Sequence, residues 1–251
     1  MNEDMLRRGV AEFIGTFTLI FIGGGAGIAV GIYSPTGGNL VAVALANGLA
    51  IGIMVSNLGH ISGGHFNPAI TLGFLSTKRI TASLAGLYWA CQLLGAVAAA
   101  LILRELTSLK ALRSGAIPIP ASHPHVSDGK AIVFELILTF FLVFAVWATA
   151  VDPRGTFKAI AGLAIGLTIT IDVLMGGRFT GAAMNPARAF GPELAGKLWT
   201  SWWVYWIGPF LGALLASQVY EYLYLRPTQP PVVGTPESGV DEPRPGETAL
   251  S

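Results

Sequence analysis

One sequence pattern occurs twice along the chain, once in each half. Each copy has a glutamate in an apolar segment, Glu12 in AEFIGTF and Glu135 in FELILTF. An Asn-Pro-Ala triplet follows, beginning at Asn67 in SGGHFNPAIT and at Asn185 in TGAAMNPARA. The glutamate and the asparagine are 55 residues apart in the first copy and 50 in the second. Such self-similarity indicates that the chain repeats one structural unit.

The composition indicates that both copies lie in a membrane. Of the 251 residues, 53% are hydrophobic and only 12% are charged, against ~25% in an average soluble domain. These values argue against a soluble enzyme or binding module. A net charge of +1 without a run of Lys or Arg argues against a nucleic-acid binder. The single cysteine, Cys91, excludes an intrachain disulfide and a cysteine-based zinc site.

Six apolar stretches approach or exceed the ~20 residues that a membrane helix requires. They cover approximately residues 9–32, 40–59, 82–104, 130–151, 157–175 and 199–224. Each copy of the pattern thus has three spans. Because three is odd, the second copy must enter the bilayer from the opposite side, which makes an inverted repeat. We predict an all-α membrane protein with repeats over 9–104 and 130–224.

Basic residues near the spans predict the orientation. They are Arg7, Arg8, Lys78, Arg79, Arg154, Lys158 and Arg226, whereas the loop at 33–39 has no charge. Cytoplasmic loops carry an excess of Lys and Arg. We therefore expect a multi-pass protein of a cell membrane (plasma or inner) with both termini in the cytoplasm.

The two ends of the chain lie outside the predicted channel. Residues 1–8 form a short cytoplasmic N-terminus in this interpretation. Residues 226–251 contain six of the fifteen prolines and have no apolar periodicity, which is typical of disorder. We interpret this tail as a solvated end in preference to a segment that binds a partner.

The Asn-Pro-Ala segments lie in loops too apolar for solvent, and their apolar parts, 70–75 and 187–194, are too short to span. Asn favours the N-cap of a helix and Pro its first position. We therefore expect half-helices to begin at Asn67-Pro68 and at Asn185-Pro186. The preceding residues, predicted to be extended, are Gly63, Gly64, His65, Gly181, Ala182 and Ala183. Non-helical backbone at membrane depth must be buried in protein or line a wet cavity. Two such loops that meet predict a pore.

These motifs resemble those of the aquaporins, of the major intrinsic protein family, over about residues 8–225. The matching segments are AEFIGT, GHISGGHFNPAITLG, FELILTF and GRFTGAAMNPARAFGPEL. The resemblance implies six membrane helices plus two re-entrant half-helices, with a channel domain over 9–225. It also implies a homotetramer with one pore in each subunit. We expect no cofactor, no metal and no enzymatic activity.

The residue types suggest how such a pore would treat water. Each asparagine caps its own half-helix and directs its amide hydrogens into the lumen. A passing water must then present its oxygen, which interrupts proton hopping. The residues of the two triplets are Asn67, Pro68, Ala69, Asn185, Pro186 and Ala187. Carbonyls of the extended residues would form an acceptor ladder. By resemblance, the opposite apolar wall includes Leu19, Ile51, Ile70, Leu142, Ile169 and Met184.

Two charged groups within the spans require partners. An acid at membrane depth faces the protein interior, and the free backbone N–H groups of the two loops are natural partners for Glu12 and Glu135. We favour this structural role over a proton relay.

By resemblance, Arg188 lies at the outer constriction. The alternative for Arg188 is a loop arginine that pairs with lipid or with Glu193.

By resemblance, four positions form the narrow selectivity filter. They correspond to Asn47, Val173, Ala182 and Arg188. Strict water channels usually have Phe and His at the first two of these positions. The filter is therefore expected to be wider and partly apolar, most like that of permissive vacuolar-type or bacterial members of the family. Asp172 either lines the outer vestibule or pairs with Arg178.

The predicted function is a passive channel for water and small neutral solutes such as glycerol, urea or ammonia, which excludes protons and ions. A strict water channel is the first alternative. A coupled secondary transporter, which also uses inverted repeats, predicts saturation and ion dependence. A membrane junction protein that uses the fold as a tile predicts a closed pore.

Overall fold

The computed structural model describes residues 3–33, 39–118, 126–154 and 160–226, and in these ranges the regular secondary structure is entirely helical. The helices are α1 (Glu3–Thr18), α2 (Gly25–Tyr33), α3 (Leu40–Ser62), α4 (Pro68–Ser76), α5 (Ala82–Leu106), α6 (Leu109–Gly115), α7 (Asp128–Val146), α8 (Ala161–Gly176), α9 (Pro186–Gly196) and α10 (Val204–Tyr220). Three π-helical segments continue them: π1 (Leu19–Gly24), π2 (Trp147–Val151) and π3 (Glu221–Leu225).

The described residues form six helical spans, as the sequence predicts. Four are long and apolar enough by themselves to cross a membrane: Glu3–Gly31, Leu40–Ser62, Ala82–Leu106 and Asp128–Val151. The fifth, α8, has 16 residues, and residues 155–159 before it lie outside the described residues. The sixth is α10, continued by π3. The predicted fold class, with its two half-helices, is confirmed.

Some predicted boundaries differ from the observed ones. The first helix begins at Glu3 instead of residue 9, because ion pairs one turn apart, Arg7 with Glu3 and Arg8 with Asp4, favour helix beyond the apolar segment. The last helix begins at Val204 instead of residue 199, after a turn. The proposed tail beyond Arg226 lies outside the described residues.

The half-helices α4 and α9 begin where the sequence predicts. Asn67 and Asn185 are their N-caps, and Pro68 and Pro186 occupy the first helical positions. The N–H groups of the first turn have no partner within the helix. Proline, which has no N–H, therefore loses no hydrogen bond at the first helical position. Each half-helix packs on the third span of the other repeat, α4 on α10 and α9 on α5. The two repeats are thus interlocked.

A short helix that the sequence analysis did not predict, α6, supports the end of α9. Ser108 caps it by accepting from the Ala111 N–H at 3.1 Å. Arg113, in α6, donates through Nε to the Gly196 carbonyl at 2.7 Å. Arg104, at the end of α5, donates through Nη1 to the Ala195 carbonyl at 3.2 Å. Two guanidinium groups therefore stabilise the negative end of the half-helix dipole.

A polar cluster joins the ends of the fourth and sixth spans. Glu221 forms an ion pair with Arg79, in the loop after α4, and accepts from the Trp147 Nε1–H at 3.1 Å. Asp152 forms an ion pair with Arg154 at 2.7 Å. The hydrogen bonds that Asp152 accepts from Arg154 hold the pKa of its carboxyl well below its usual range.

Glycines allow α3 and α8 to cross in close contact, as their spacing of four residues in the sequence suggests. A Cβ on Gly166 would lie 2.5 Å from the Gly48 carbonyl oxygen and 3.0 Å from the Gly52 Cα. A Cβ on Gly162 would lie 2.4 Å from the Gly52 carbonyl oxygen. Because these neighbours are backbone atoms, the helices could accommodate a side chain only by moving apart.

Gly166→Ala is expected to destabilise the bundle by about 1–3 kcal/mol, the usual cost of overpacking a close-packed interior. The measurement is thermal unfolding of the purified protein in detergent. Gly86→Ala is the matched control, since no atom lies within 4 Å of the added Cβ. Equal melting temperatures for the two variants would contradict the close crossing.

Candidate functional site

The loops before α4 and α9 have the same unusual backbone conformation. Positive φ angles occur at equivalent positions, 118 residues apart: Gly63 (93°) and Gly181 (84°), Gly64 (64°) and Ala182 (44°), Phe66 (49°) and Met184 (52°). Positive φ is uncommon for residues other than glycine and costs free energy. The conformation therefore needs partners that hold it in place.

Glu12 holds the first loop. Its Oε1 accepts from the His65 N–H at 3.0 Å and from Ser62 Oγ at 2.6 Å. Its Oε2 accepts from the Phe66 N–H at 2.6 Å and from Gln92 Nε2 at 2.8 Å. The side chain is fully buried. The carboxylate therefore satisfies two backbone donors that have no helical partner.

Glu135 holds the second loop in the same way. Its Oε1 accepts from the Ala183 N–H at 2.9 Å and from Thr180 Oγ1 at 2.7 Å, and its Oε2 accepts from the Met184 N–H at 2.6 Å. It is also fully buried. Pro209 stands at the position equivalent to Gln92, so the fourth donor of the first repeat has no counterpart.

The structure adds two matched pairs of residues that the sequence analysis missed. The hydroxyls of Ser62 and Thr180 accept from the N–H two residues later, each at 3.1 Å. The hydroxyls of Tyr88 and Tyr205 donate to the carbonyls of Ser62 and Thr180, at 2.5 and 2.7 Å. Alignment of the two repeats would have found both pairs, since their members are separated by 118 and 117 residues.

The two asparagines meet at the tips of the half-helices. Asn67 Oδ1 accepts from the Ala69 N–H at 2.8 Å, and Asn185 Oδ1 accepts from the Ala187 N–H at 3.0 Å. Each amide nitrogen donates to the opposite loop: Asn67 Nδ2 to the Met184 carbonyl at 2.8 Å, and Asn185 Nδ2 to the Phe66 carbonyl at 2.9 Å. The two loops are thus joined by reciprocal hydrogen bonds.

These bonds correct one detail of the sequence interpretation. The sequence predicts that both hydrogens of each amide face the lumen. In the structure, one hydrogen of each amide instead binds the opposite loop. The backbone at Phe66 and Met184, where φ is positive, places a carbonyl within hydrogen-bonding distance of the opposite asparagine. Asn67 and Asn185 both line the central cavity, so one hydrogen of each amide is left for a ligand.

A cavity lies beside the asparagines. All six residues expected in the apolar wall line it, namely Leu19, Ile51, Ile70, Leu142, Ile169 and Met184. Of the residues expected to supply carbonyls, Gly64, His65, Ala182 and Ala183 line it, whereas Gly63 and Gly181 are not among its lining residues. These two glycines make the turns that lead into the loops.

The four residues of the expected filter lie on this same cavity. Asn47, Val173, Ala182 and Arg188 all line it. Asn47 is 1% exposed, and its Nδ2 donates to the Val43 carbonyl at 2.8 Å. Arg188 Nη1 has no hydrogen-bond partner among the described residues. A fixed positive charge with a free donor therefore stands at the cavity.

Of the other polar side chains, Asp172 and Glu193 are not among the residues that line the cavity, and His65 has a hydrogen-bonding partner. Asp172 is buried, is not among the lining residues and, in the described ranges, forms no ion pair with Arg178. The carboxylate of Glu193 is buried without a hydrogen-bond partner there, so it does not pair with Arg188. His65 Nδ1 is 3.0 Å from Thr71 Oγ1. No cluster of potential metal ligands occurs among the described residues.

Glu135→Gln is expected to destabilise the protein and lower its transport activity. An amide NH₂ would replace one oxygen and face a backbone donor, which leaves a buried N–H unpaired at a cost of about 1–3 kcal/mol. Glu12→Gln is expected to cost more, because that carboxylate accepts from four donors. Thermal unfolding in detergent measures both.

The control is Glu193→Gln, which alters another fully buried glutamate whose oxygens bind no described residue. Because this change removes a buried unpaired charge, it should be neutral or stabilising. An equal loss of stability in Glu193→Gln and Glu135→Gln would show that the loop contacts are not the cause.

Comparison with known sequences finds one family throughout, that of the major intrinsic proteins. A family model described as "Major intrinsic protein" matches residues 1–220. "Probable aquaporin TIP-type alpha" of Phaseolus vulgaris is 45% identical over 235 residues, which cover 92% of this chain and 90% of that protein. "Aquaporin TIP3-2" of Zea mays is 47% identical over 234 residues, covering 90% and 86% of the two chains.

Comparison with solved structures finds the same architecture. The chain is similar to the aquaglyceroporin from Plasmodium falciparum, with a TM-score of 0.78 and 26% sequence identity. The similarity covers 87% of this chain and 96% of that one.

Proposed function

The chain belongs to the major intrinsic protein family, and from this premise we propose that it is a passive channel for water and small neutral solutes that excludes protons and ions. The observation that carries the proposal is the reciprocal contact of the two asparagines beside a cavity that both of them line. The channel domain covers residues 9–225 in this proposal.

The arrangement at the asparagines supports a barrier to protons. The N-terminus of each half-helix carries roughly +0.5 of a charge, and both point to the same place. One amide hydrogen of Asn67 and one of Asn185 are left for the water oxygen. A water bound there donates both of its hydrogens away from the centre, so no continuous chain of donors crosses it.

The composition of the cavity wall supports rapid passage. Apolar side chains make up one part of the wall, and the backbone of both loops contributes to another. The N–H groups of His65 and Phe66 are bound to Glu12, so the lumen need not satisfy these donors. Water is thereby offered few partners, and the barrier between successive positions stays low.

The charges argue against a coupled transporter. Arg188 is the only permanently charged residue among the described residues that line the cavity. Ion coupling in transporters uses half-helix C-termini, carbonyls of unwound backbone or carboxylates near the substrate. Here two positive helix ends and a guanidinium face the path, while both oxygens of Glu12 and of Glu135 already accept from donors. A cation would lose hydration beside these positive groups, and no carboxylate among the described lining residues would compensate its charge.

The filter residues support passage of solutes larger than water. Channels of this type are already known to select by pore diameter, lining donors and electrostatic barriers. The filter proposed here has one cationic donor, Arg188, with the small Ala182 and the apolar Val173 near it. We therefore propose that urea, glycerol or ammonia pass in addition to water.

Assembly and location are proposals as well. The outward faces of the helices carry large exposed apolar side chains, for example Leu49, Leu94 and Leu167, which suits contact with lipid or with a second subunit. We propose a homotetramer with one pore in each subunit, in a cell membrane. The distribution of Lys and Arg supports cytoplasmic termini.

Asn47→Phe combined with Val173→His is expected to reduce urea and glycerol permeability about tenfold, equivalent to ~1.4 kcal/mol in barrier height. The added rings would fill the filter, while water, being smaller, should be less affected. The measurement is stopped-flow light scattering on proteoliposomes, with water, urea, glycerol and ammonia tested in turn.

Leu94→Phe is the control, since this side chain is 62% exposed on the outer surface of α5. Unchanged solute flux in the double variant would mean that these residues do not form the filter. Solute flux no higher than that of empty vesicles in the unaltered protein would indicate a strict water channel.

A further inference from the structure

Gly23 and Asn47 are in close contact on one side of the proposed filter. Gly23 lies in π1, the segment that also contributes Leu19 to the cavity. A Cβ on Gly23 would lie 2.3 Å from Asn47 Oδ1, 2.7 Å from its Cγ and 3.0 Å from its Nδ2. Carbon atoms in contact are normally ~3.5–4.0 Å apart. The amide of Asn47 therefore occupies the space that a side chain at Gly23 would fill.

The contacts of Asn47 hold its amide in that space. The Nδ2–H donates to the Val43 carbonyl, one turn earlier in α3, at 2.8 Å. Oδ1 has no partner among the described residues and is shielded from solvent. The side chain thus lies folded back against the first span, although the residue itself is on the cavity.

The second repeat has a different pair at the equivalent positions. The offset that relates Glu12 to Glu135 relates Gly23 to Val146, and the offset that relates the asparagines relates Asn47 to Ile165. Val146 and Ile165 both line the cavity and are buried. A glycine and a small amide thus replace two branched apolar side chains on the filter side only, which leaves more room there.

We propose that Gly23 is a positioning residue for solute selectivity: by lacking a side chain, it lets the Asn47 amide withdraw from the lumen and keeps the filter wide enough for solutes larger than water. The inference rests on the proposed function, since it assumes that this cavity conducts. The Asn47 amide is at the end of a flexible side chain, and the empty space next to this residue is the cavity. A Cβ at Gly23 therefore shifts the amide into the lumen.

Gly23→Ala is expected to lower urea and glycerol permeability about tenfold, equivalent to ~1.4 kcal/mol in barrier height, with a smaller effect on water. The measurement is the ratio of solute to water permeability in proteoliposomes of the full chain. Addition of Asn47→Ala to Gly23→Ala removes the displaced amide and should restore solute flux. Gly31→Ala, in the same span and with no atom within 4 Å of the added Cβ, should change nothing.

An unchanged ratio in Gly23→Ala would overturn the proposal, as would a double variant that does not recover. Misfolding is detected separately, because it lowers water and solute flux together and is not reversed by Asn47→Ala.

A second measurement does not depend on solute flux. With Cys91→Ser removing the native thiol, the thiol of Asn47→Cys should react slowly with a small charged thiol reagent added from outside. It should react faster, and block water flow, when Gly23→Ala is added. Equal rates would overturn the positioning role. Unaltered protein that passes water but neither urea nor glycerol would instead overturn the proposed solute range, and the thiol rates would still test the position of the side chain.

Discussion

The structure depends on how two stretches of irregular backbone satisfy their N–H groups inside a membrane. Lipid offers no hydrogen-bond partners, so an unpaired donor at that depth costs several kcal/mol. Glu12 and Glu135 solve this problem in the same way, since each accepts from two successive backbone N–H groups and from a neighbouring hydroxyl. The strained turns at Phe66 and Met184 exist because these carboxylates hold them.

This support determines where the remaining groups of the loops are placed. With their N–H groups turned to the glutamates, the carbonyls of Phe66 and Met184 can accept from the opposite asparagine. The two half-helices are thereby fixed tip to tip, and each packs on a span of the other repeat. A rigid junction with two converging positive dipoles follows from the folding requirement, and the proposed exclusion of protons uses that same junction.

The sequence predicted the parts of this arrangement that repeat along the chain. The matched Glu and Asn-Pro-Ala positions gave the inverted repeat, and the N-cap preference of Asn gave the starts of α4 and α9. Other features depend on three-dimensional approach. Helix α6 was missed because its seven residues are too few to show a helical periodicity, and its role depends on the distant carbonyl of Gly196. The contact of Gly23 with Asn47 joins two spans whose rotation no local pattern specifies.

The central claim is that the junction of Asn67 and Asn185 conducts water while it interrupts the proton path. The most direct measurement compares osmotic water flow with proton flux in the same proteoliposomes, using a pH-sensitive dye inside and a potassium ionophore to prevent a diffusion potential. The account predicts water permeability well above that of empty vesicles and proton flux no different from theirs. Proton flux that rises in proportion to water flow as more protein is reconstituted would contradict it.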